Sequence, residues 1–213
     1  MKMDRENKHY YNEFPDVDVK VHSITVSLRK HLYMFKTLPG VFSYEKIDLG
    51  TNVLIENIIF PKEKNMILDL GCGYGVIGIV IAREIDSAYV YFIDSNKRAL
   101  WCTHENIKMN LPDQMKRIKV LYGNYFEPLN DKILKFDGIY MNPPIRRGRR
   151  EFLNLCKVIP SFLNIGGFFQ FVIRRKMGAE YILKYLQENN TKNIIEVICK
   201  RSGYWVFNYI RMQ

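Results

Sequence analysis

With 213 residues, 47% of them hydrophobic, the chain is large enough for one domain with a full core and needs no disulfide to hold it together. Its formal charge of +10 and isoelectric point near 9.4 point to a polyanionic partner. No apolar run reaches the roughly 18 residues that a bilayer-spanning helix needs, and residues 1–8 are charged where a signal peptide would be apolar. Cys72, Cys102, Cys156 and Cys199 are widely separated and form no Cys-x-x-Cys pair, and His9, His22, His31 and His104 lack metal-ligand spacing. The expectation is a reduced, cytoplasmic protein with no metal and no membrane association.

In chain order, Ile24, Val26 and Leu28 alternate with Thr25 and Ser27, and a second apolar run covers 32–38, so Arg29-Lys30-His31 is expected to turn a hairpin. Pro39-Gly40 breaks the chain. Asp48 or Thr51 can then cap a helix that carries Val53, Leu54, Ile58 and Ile59 and ends near Pro61. Residues 1–60 read as an N-terminal extension, a hairpin and a helix covering the site, ahead of a main domain over 61–213.

Met66, Ile67, Leu68 and Leu70 form the short apolar run of a strand buried on both faces, and the run stops at Gly71. From Val76 the apolar residues continue in a block long enough for a helix, which places Gly71-x-Gly73-x-Gly75 at a strand-to-helix turn. Gly71 and Gly73 let the backbone approach a ligand, while Gly75 and Gly78 let the helix lie close to its strand. This builds a nucleotide pocket. The spacing departs from the dinucleotide pattern G-x-G-x-x-G, for which Gly78 would have to stand in two residues late.

A second strand over 88–93 ends at Asp94, about 20 residues past the glycines, where a carboxylate can accept from both hydroxyls of a ribose. The alternative role for Asp94, as a cap for the helix over 96–109, ranks behind the ribose contact given the glycine motif before it. A third strand over 117–122 is followed by Gly123-Asn124, and a fourth over 136–141 delivers Asn142-Pro143-Pro144-Ile145-Arg146-Arg147-Gly148. The two prolines stiffen this loop and remove two N–H donors, leaving carbonyl groups as acceptors. Beyond it, segments 151–163, 167–173, 178–188, 193–199 and 204–210 alternate helix and strand, except that the last two strands have only Lys200-Arg201-Ser202-Gly203 between them and must form an antiparallel hairpin. The expected fold is α/β, Rossmann-like, with a mostly parallel sheet and one antiparallel strand.

Asp69-Leu70-Gly71-Cys72-Gly73-Tyr74-Gly75, Asp94 and Asn142-Pro143-Pro144-Ile145 together resemble the motifs of the class I S-adenosylmethionine-dependent methyltransferases that act on amines. Gly40-Val41-Phe42-Ser43, Asp48-x-Gly50-Thr51 and Ile145-Arg146-x-Gly148 add a likeness to one subgroup, the ribosomal small-subunit RNA guanine-N2 methyltransferases and their archaeal single-domain relatives, over residues 9–213. The resemblance implies S-adenosylmethionine as cofactor, held by Asp69, Gly71, Gly73, Gly75, Asp94 and, at the adenine amine, Asn124. It implies RNA as partner of a monomer or dimer, and Asn142 and Pro143 as catalytic residues whose side-chain and backbone oxygens accept the hydrogens of the target amine.

The substrate would meet Pro144, Ile145, Arg146 and Arg147. Adenine-N6 and protein-glutamine methyltransferases place an aromatic residue where Ile145 stands, so Phe42 is the candidate to stack on the base, with a core phenylalanine as the alternative. Arg149 and Arg150, then Arg174 and Arg175, then Lys200 and Arg201 follow successive strands and are expected to form an RNA-phosphate rim on one sheet edge. Methylation of another amine (adenine N6, a tRNA guanine, protein glutamine) and a noncatalytic RNA-binding protein on the same fold stay open.

Overall fold

His22–Leu28 (β1) and His31–Thr37 (β2) pair as an antiparallel hairpin around Arg29 and Lys30, both with positive φ (45° and 69°). That two-residue turn matches the strand twist, so His31 belongs to the second strand and faces Leu28. The computed structural model describes residues 20–62, 66–129, 134–145, 148–190 and 192–213; the expectations placed on residues 1–8, His9, Arg146 and Arg147 lie outside them.

Leu49–Glu56 (α1) follows, capped by Asp48, whose carboxylate accepts from the Thr51 amide. The helix stops earlier than the sequence suggests. Asn57 folds its Nδ2 back onto Val53 O, and Ile59 lies beyond the helix, its amide donating to Gln170 Oε1 and its carbonyl accepting from the Tyr140 hydroxyl.

The main sheet is built from Met66–Leu70 (β3), Tyr89–Asp94 (β4), Ile118–Tyr122 (β5), Phe136–Met141 (β6), Leu163–Arg174 (β7), Ile194–Arg201 (β8) and Tyr204–Ile210 (β9), in the order β5-β4-β3-β6-β7-β9-β8. All neighbours are parallel except β9, which lies antiparallel between β7 and β8 through the left-handed turn Ser202-Gly203. Connecting helices are Val76–Glu84 (α2), Lys97–Asn110 (α3), Arg149–Val158 (α4) and Ala179–Asn189 (α5). The sequence reading runs α4 on to residue 163, but Pro160 supplies no N–H to continue it, and a single 3-10 turn over Ile159–Phe162 leads into a longer β7.

β3 and β6 are buried on both faces, as their apolar runs require. One cluster joins Ile67, Phe92, Val172 and Val206 to α1, α2, α3 and the hairpin; the other joins Leu68, Ile139, Phe171 and Phe207 to α4 and α5. The hairpin is held to α3 by two asparagines one turn apart: Asn106 exchanges bonds with Lys36 N and O, and Asn110 with Met34 N and O, as a neighbouring strand would. Among the described residues no helix is long and apolar enough to cross a membrane, and no group of three His, Cys, Asp or Glu could hold a metal ion.

Candidate active site

β3 and β6 are adjacent, with Asp69 level with Tyr140, and their following helices depart to opposite sides of the sheet. This is the switch point where a crevice opens beyond the strand ends. The glycine turn leaves β3 there and the Asn142 loop leaves β6 beside it. Both line one cavity of about 720 Å³, a size suited to a small-molecule ligand.

Gly71 and Gly73 adopt positive φ (69° and 59°), and the space above Gly73 is open. A side chain would fill the cradle that a ligand needs. Gly78 serves packing, since a Cβ there would come within 2.3 Å of Phe92 Cε1 and drive α2 off β4. Asp69 lies beneath the turn. It is fully buried, its Oδ2 accepts from Gly78 N (2.8 Å), and it is absent from the cavity wall, as is Gly75. Its carboxylate ties the strand to the helix. Burial, with a smaller push from Asp94, raises its carboxyl pKa to about 7, and its Oδ1 has no partner.

Asp94 does line the cavity. Its Oδ2 accepts from Gly73 N and its Oδ1 from Asn96 N, both at 2.8 Å, so the carboxylate fixes the glycine turn from the cavity wall. The helix cap is Asn96, whose Oδ1 accepts from Arg98 N and Ala99 N. Asn124 reaches the same wall after β5, its amide donating to Glu127 Oε2.

The segment after β2 closes the cavity from above. Arg98 Nη1 donates to Pro39 O and Asn96 Nδ2 to Gly40 O, which pins the loop carrying Phe42. Phe42 is 60% exposed on the cavity wall, so it is not a core phenylalanine. Ile145 borders the cavity too, but at 9% exposure its side chain also packs in the second core cluster and anchors the loop. Pro144 is exposed at the rim.

Asn142 is held by two residues that sequence reasoning did not place in the site. Its Nδ2 donates to Asp48 Oδ2 (3.0 Å) and Thr51 Oγ1 (2.9 Å). Both amide hydrogens are committed, so Oδ1 carries the free acceptor. The Pro143 carbonyl is not wholly outward: it accepts from Ile145 N at 2.9 Å, which leaves one lone pair. A signal for α1 existed. Gly50 sits in the first turn of a helix, where glycine costs about 1 kcal/mol, and its reason is Tyr204, whose Cε1 would lie 2.8 Å from a Cβ at that position.

Of the basic residues, Arg174 lies on the cavity wall with its guanidinium 5.9 Å from the Tyr204 ring centre. Arg149 lies over Tyr181 (4.9 Å) and Arg175 pairs with Glu180 at 3.0 Å, so both stand back from the cavity, and Arg150 is exposed at the start of α4. Lys200, over Trp205, and Arg201 line a neighbouring groove with Arg175; Tyr204 borders both openings.

A glycine turn with an acid on the next strand thus faces an Asn-Pro-Pro loop across one cavity. The chain belongs to the methyltransferase small domain family, whose model matches residues 32–208. It is 30% identical over 200 residues to the uncharacterized protein YbxB of Bacillus subtilis, covering 94% of this chain and 96% of that one. It is also 30% identical over 196 residues to the ribosomal RNA large subunit methyltransferase G of Colwellia psychrerythraea (87% of this chain, 48% of that one). Over 112 residues it is 37% identical to the ribosomal RNA small subunit methyltransferase C of Haemophilus influenzae (53% and 32%).

Among solved structures, the T. thermophilus 16S rRNA N2 methyltransferase RsmC, in complex with AdoMet and guanosine, superposes with a TM-score of 0.76 at 23% identity, over 93% of this chain and 52% of that one. This likeness establishes the fold. The chain thus spans about half the length, or less, of these three ribosomal RNA methyltransferases. S-adenosylmethionine, the family's implied cofactor, fits the residues present: an open glycine cradle, a carboxylate on the wall beside it, and room for a second ligand.

Proposed function

We propose that this protein methylates the exocyclic N2 amine of a guanine in RNA, in ribosomal RNA of the small subunit. The observation that carries the reading is the Asn142 amide, fixed through both hydrogens of Nδ2 so that its oxygen is the free acceptor in the cavity that also holds the glycine turn. When bound, S-adenosylmethionine supplies an electrophilic methyl group. Gly71 and Gly73 cradle it, Asp94 takes the ribose hydroxyls and Asn124 the adenine amine. Asn142 Oδ1 accepts one hydrogen of the target amine and the remaining lone pair of the Pro143 carbonyl accepts the other, which orients the nitrogen for in-line attack.

The same acceptors stabilise the positive charge that develops on the nitrogen, and the proton leaves to solvent afterwards. Phe42, exposed on the wall, provides a face for the base. The polyanion preference expected from a charge of +10 is met by RNA rather than by an acidic protein.

The test is nucleoside mass spectrometry of small- and large-subunit ribosomal RNA after incubation with the purified chain and S-adenosylmethionine. N2-methylguanosine in small-subunit RNA is expected, with Asn142→Ala at least about 100-fold slower and undiminished in cofactor binding. N6-methyladenosine, label in protein alone, or no product would overturn the reading; product confined to large-subunit RNA would reassign the target.

A further inference from the structure

Asp48 makes bonds that its role as a helix cap does not require. Its Oδ2 serves two purposes at one point, capping α1 through Thr51 N (3.1 Å) and receiving Asn142 Nδ2 (3.0 Å), and it crowds Gly50, where a Cβ would lie 2.9 Å from it. Among the described residues its Oδ1 has no hydrogen-bond partner, and Asp48 is half-buried on the cavity wall. Asn142 Oδ1 has the same standing: accessible, on the wall and unpartnered. Two acceptor oxygens therefore open to the cavity from side chains that are bonded to each other.

Such an edge selects its ligand by chemistry. It needs two neighbouring N–H donors, one of them on the amine to be methylated. In guanine the ring nitrogen beside the exocyclic amine, N1, carries a hydrogen. In adenine and cytosine the corresponding ring nitrogen is a bare acceptor, which would face a carboxylate oxygen with no proton between them. We propose that Asp48 is the specificity-determining residue of this site: with Asn142 Oδ1 on the amine, Asp48 Oδ1 accepts from N1–H of the base and so admits guanine and rejects adenine and cytosine. The inference rests on the reading that the cavity methylates a base amine, and adds to it the residue that chooses the base. A second effect follows from the same contact. Asp48 and Thr51 hold the Asn142 amide against a flip that would turn its NH₂ toward the substrate.

The decisive probe is 2-aminopurine riboside, which keeps the 2-amino group of guanosine and lacks the hydrogen on N1. Guanosine and 2-aminopurine riboside are compared as competitors of methyl transfer from S-adenosylmethionine to a small-subunit ribosomal RNA transcript. Wild-type protein is expected to prefer guanosine by about 10-fold or more, the discrimination expected of one good base-edge contact. Asp48→Asn keeps a capping residue and an oxygen for Asn142 Nδ2 and Thr51 N, but turns an NH₂ toward N1. It should lower the guanosine preference to near or below unity while leaving S-adenosylmethionine affinity unchanged, a pattern that general loss of structure would not give.

Equal competition by the two nucleosides with wild-type protein, or an unaltered preference in Asp48→Asn, would overturn the inference. If wild-type protein then still forms N2-methylguanosine in RNA, the proposed function stands without it. Absence of that product removes both.

Discussion

Asp94 illustrates how a single carboxylate can belong to the fold and to the ligand. By accepting from Gly73 N and Asn96 N it holds the glycine turn against the start of α3, and it lines the cavity. Asp94→Ala should weaken S-adenosylmethionine binding by about 1–3 kcal/mol, the cost of leaving hydrogen-bonding groups unpaired, as read by calorimetric titration. A folded variant with wild-type affinity would remove Asp94 from the cofactor.

Asp69, its companion in the sequence motif, makes a different prediction. Burial raises its pKa in the folded state from 3.8 to about 7. The native state therefore binds a proton that the unfolded state has released between those values, so its contribution to stability is fully present below about pH 4 and is lost as the pH rises through about 7. Asp69→Asn can still accept from Gly78 N but does not titrate. The melting temperature of the variant should gain on wild type from about pH 5 to about pH 8; a constant difference would show that Asp69 does not titrate in that window. The sequence motifs name Asp69 and Asp94 together, one just before the glycines and the other at the end of the next strand. They could not separate a residue beneath the turn from one above it, since that depends on which face of β3 meets α2.

The order and type of the strands and helices were legible because each is a long apolar run closed by glycine, proline or a cap. What escaped was the junction between elements distant in the chain. α1 reads as a capped helix in a covering segment, and nothing local says that its cap touches a loop 94 residues later. Gly50 is the hinge of that junction, lying against Tyr204 on β9. Gly50→Ala should destabilise the fold by about 1–3 kcal/mol through overpacking. Because the forced shift moves Asp48, it should also slow methyl transfer more than it weakens cofactor binding. Urea unfolding and a comparison of kcat with cofactor Kd measure the two effects. Wild-type turnover in a destabilised Gly50→Ala protein would separate α1 from the chemistry. The local surroundings of two basic residues are likewise set outside their own element: Arg175 pairs with Glu180, five positions on, and Arg149 lies over the ring of Tyr181.

The charge distribution is set by topology more than by any one residue. Because β9 is antiparallel to both β7 and β8, those two strands run the same way, and Arg174 and Lys200-Arg201 emerge on the carboxyl edge that carries Gly71, Asp94 and Asn142. Arg149 and Arg150 begin α4 on that same side, after the β6 loop. Arg175 is discounted by its ion pair with Glu180, exposed though both side chains are. Replacing Arg149, Arg150 and Arg174 with alanine should therefore weaken RNA binding regardless of sequence and flatten its salt dependence by about 0.7 log units of slope for each single-strand phosphate that is no longer neutralised. Arg175→Ala should change the slope less than any of these three, and cofactor affinity should hold in all four variants. Filter binding of a ribosomal RNA transcript across a series of salt concentrations reads the slopes directly. An unchanged slope in the triple variant would move the RNA track off this edge, toward the Arg29-Lys30 turn of the N-terminal hairpin.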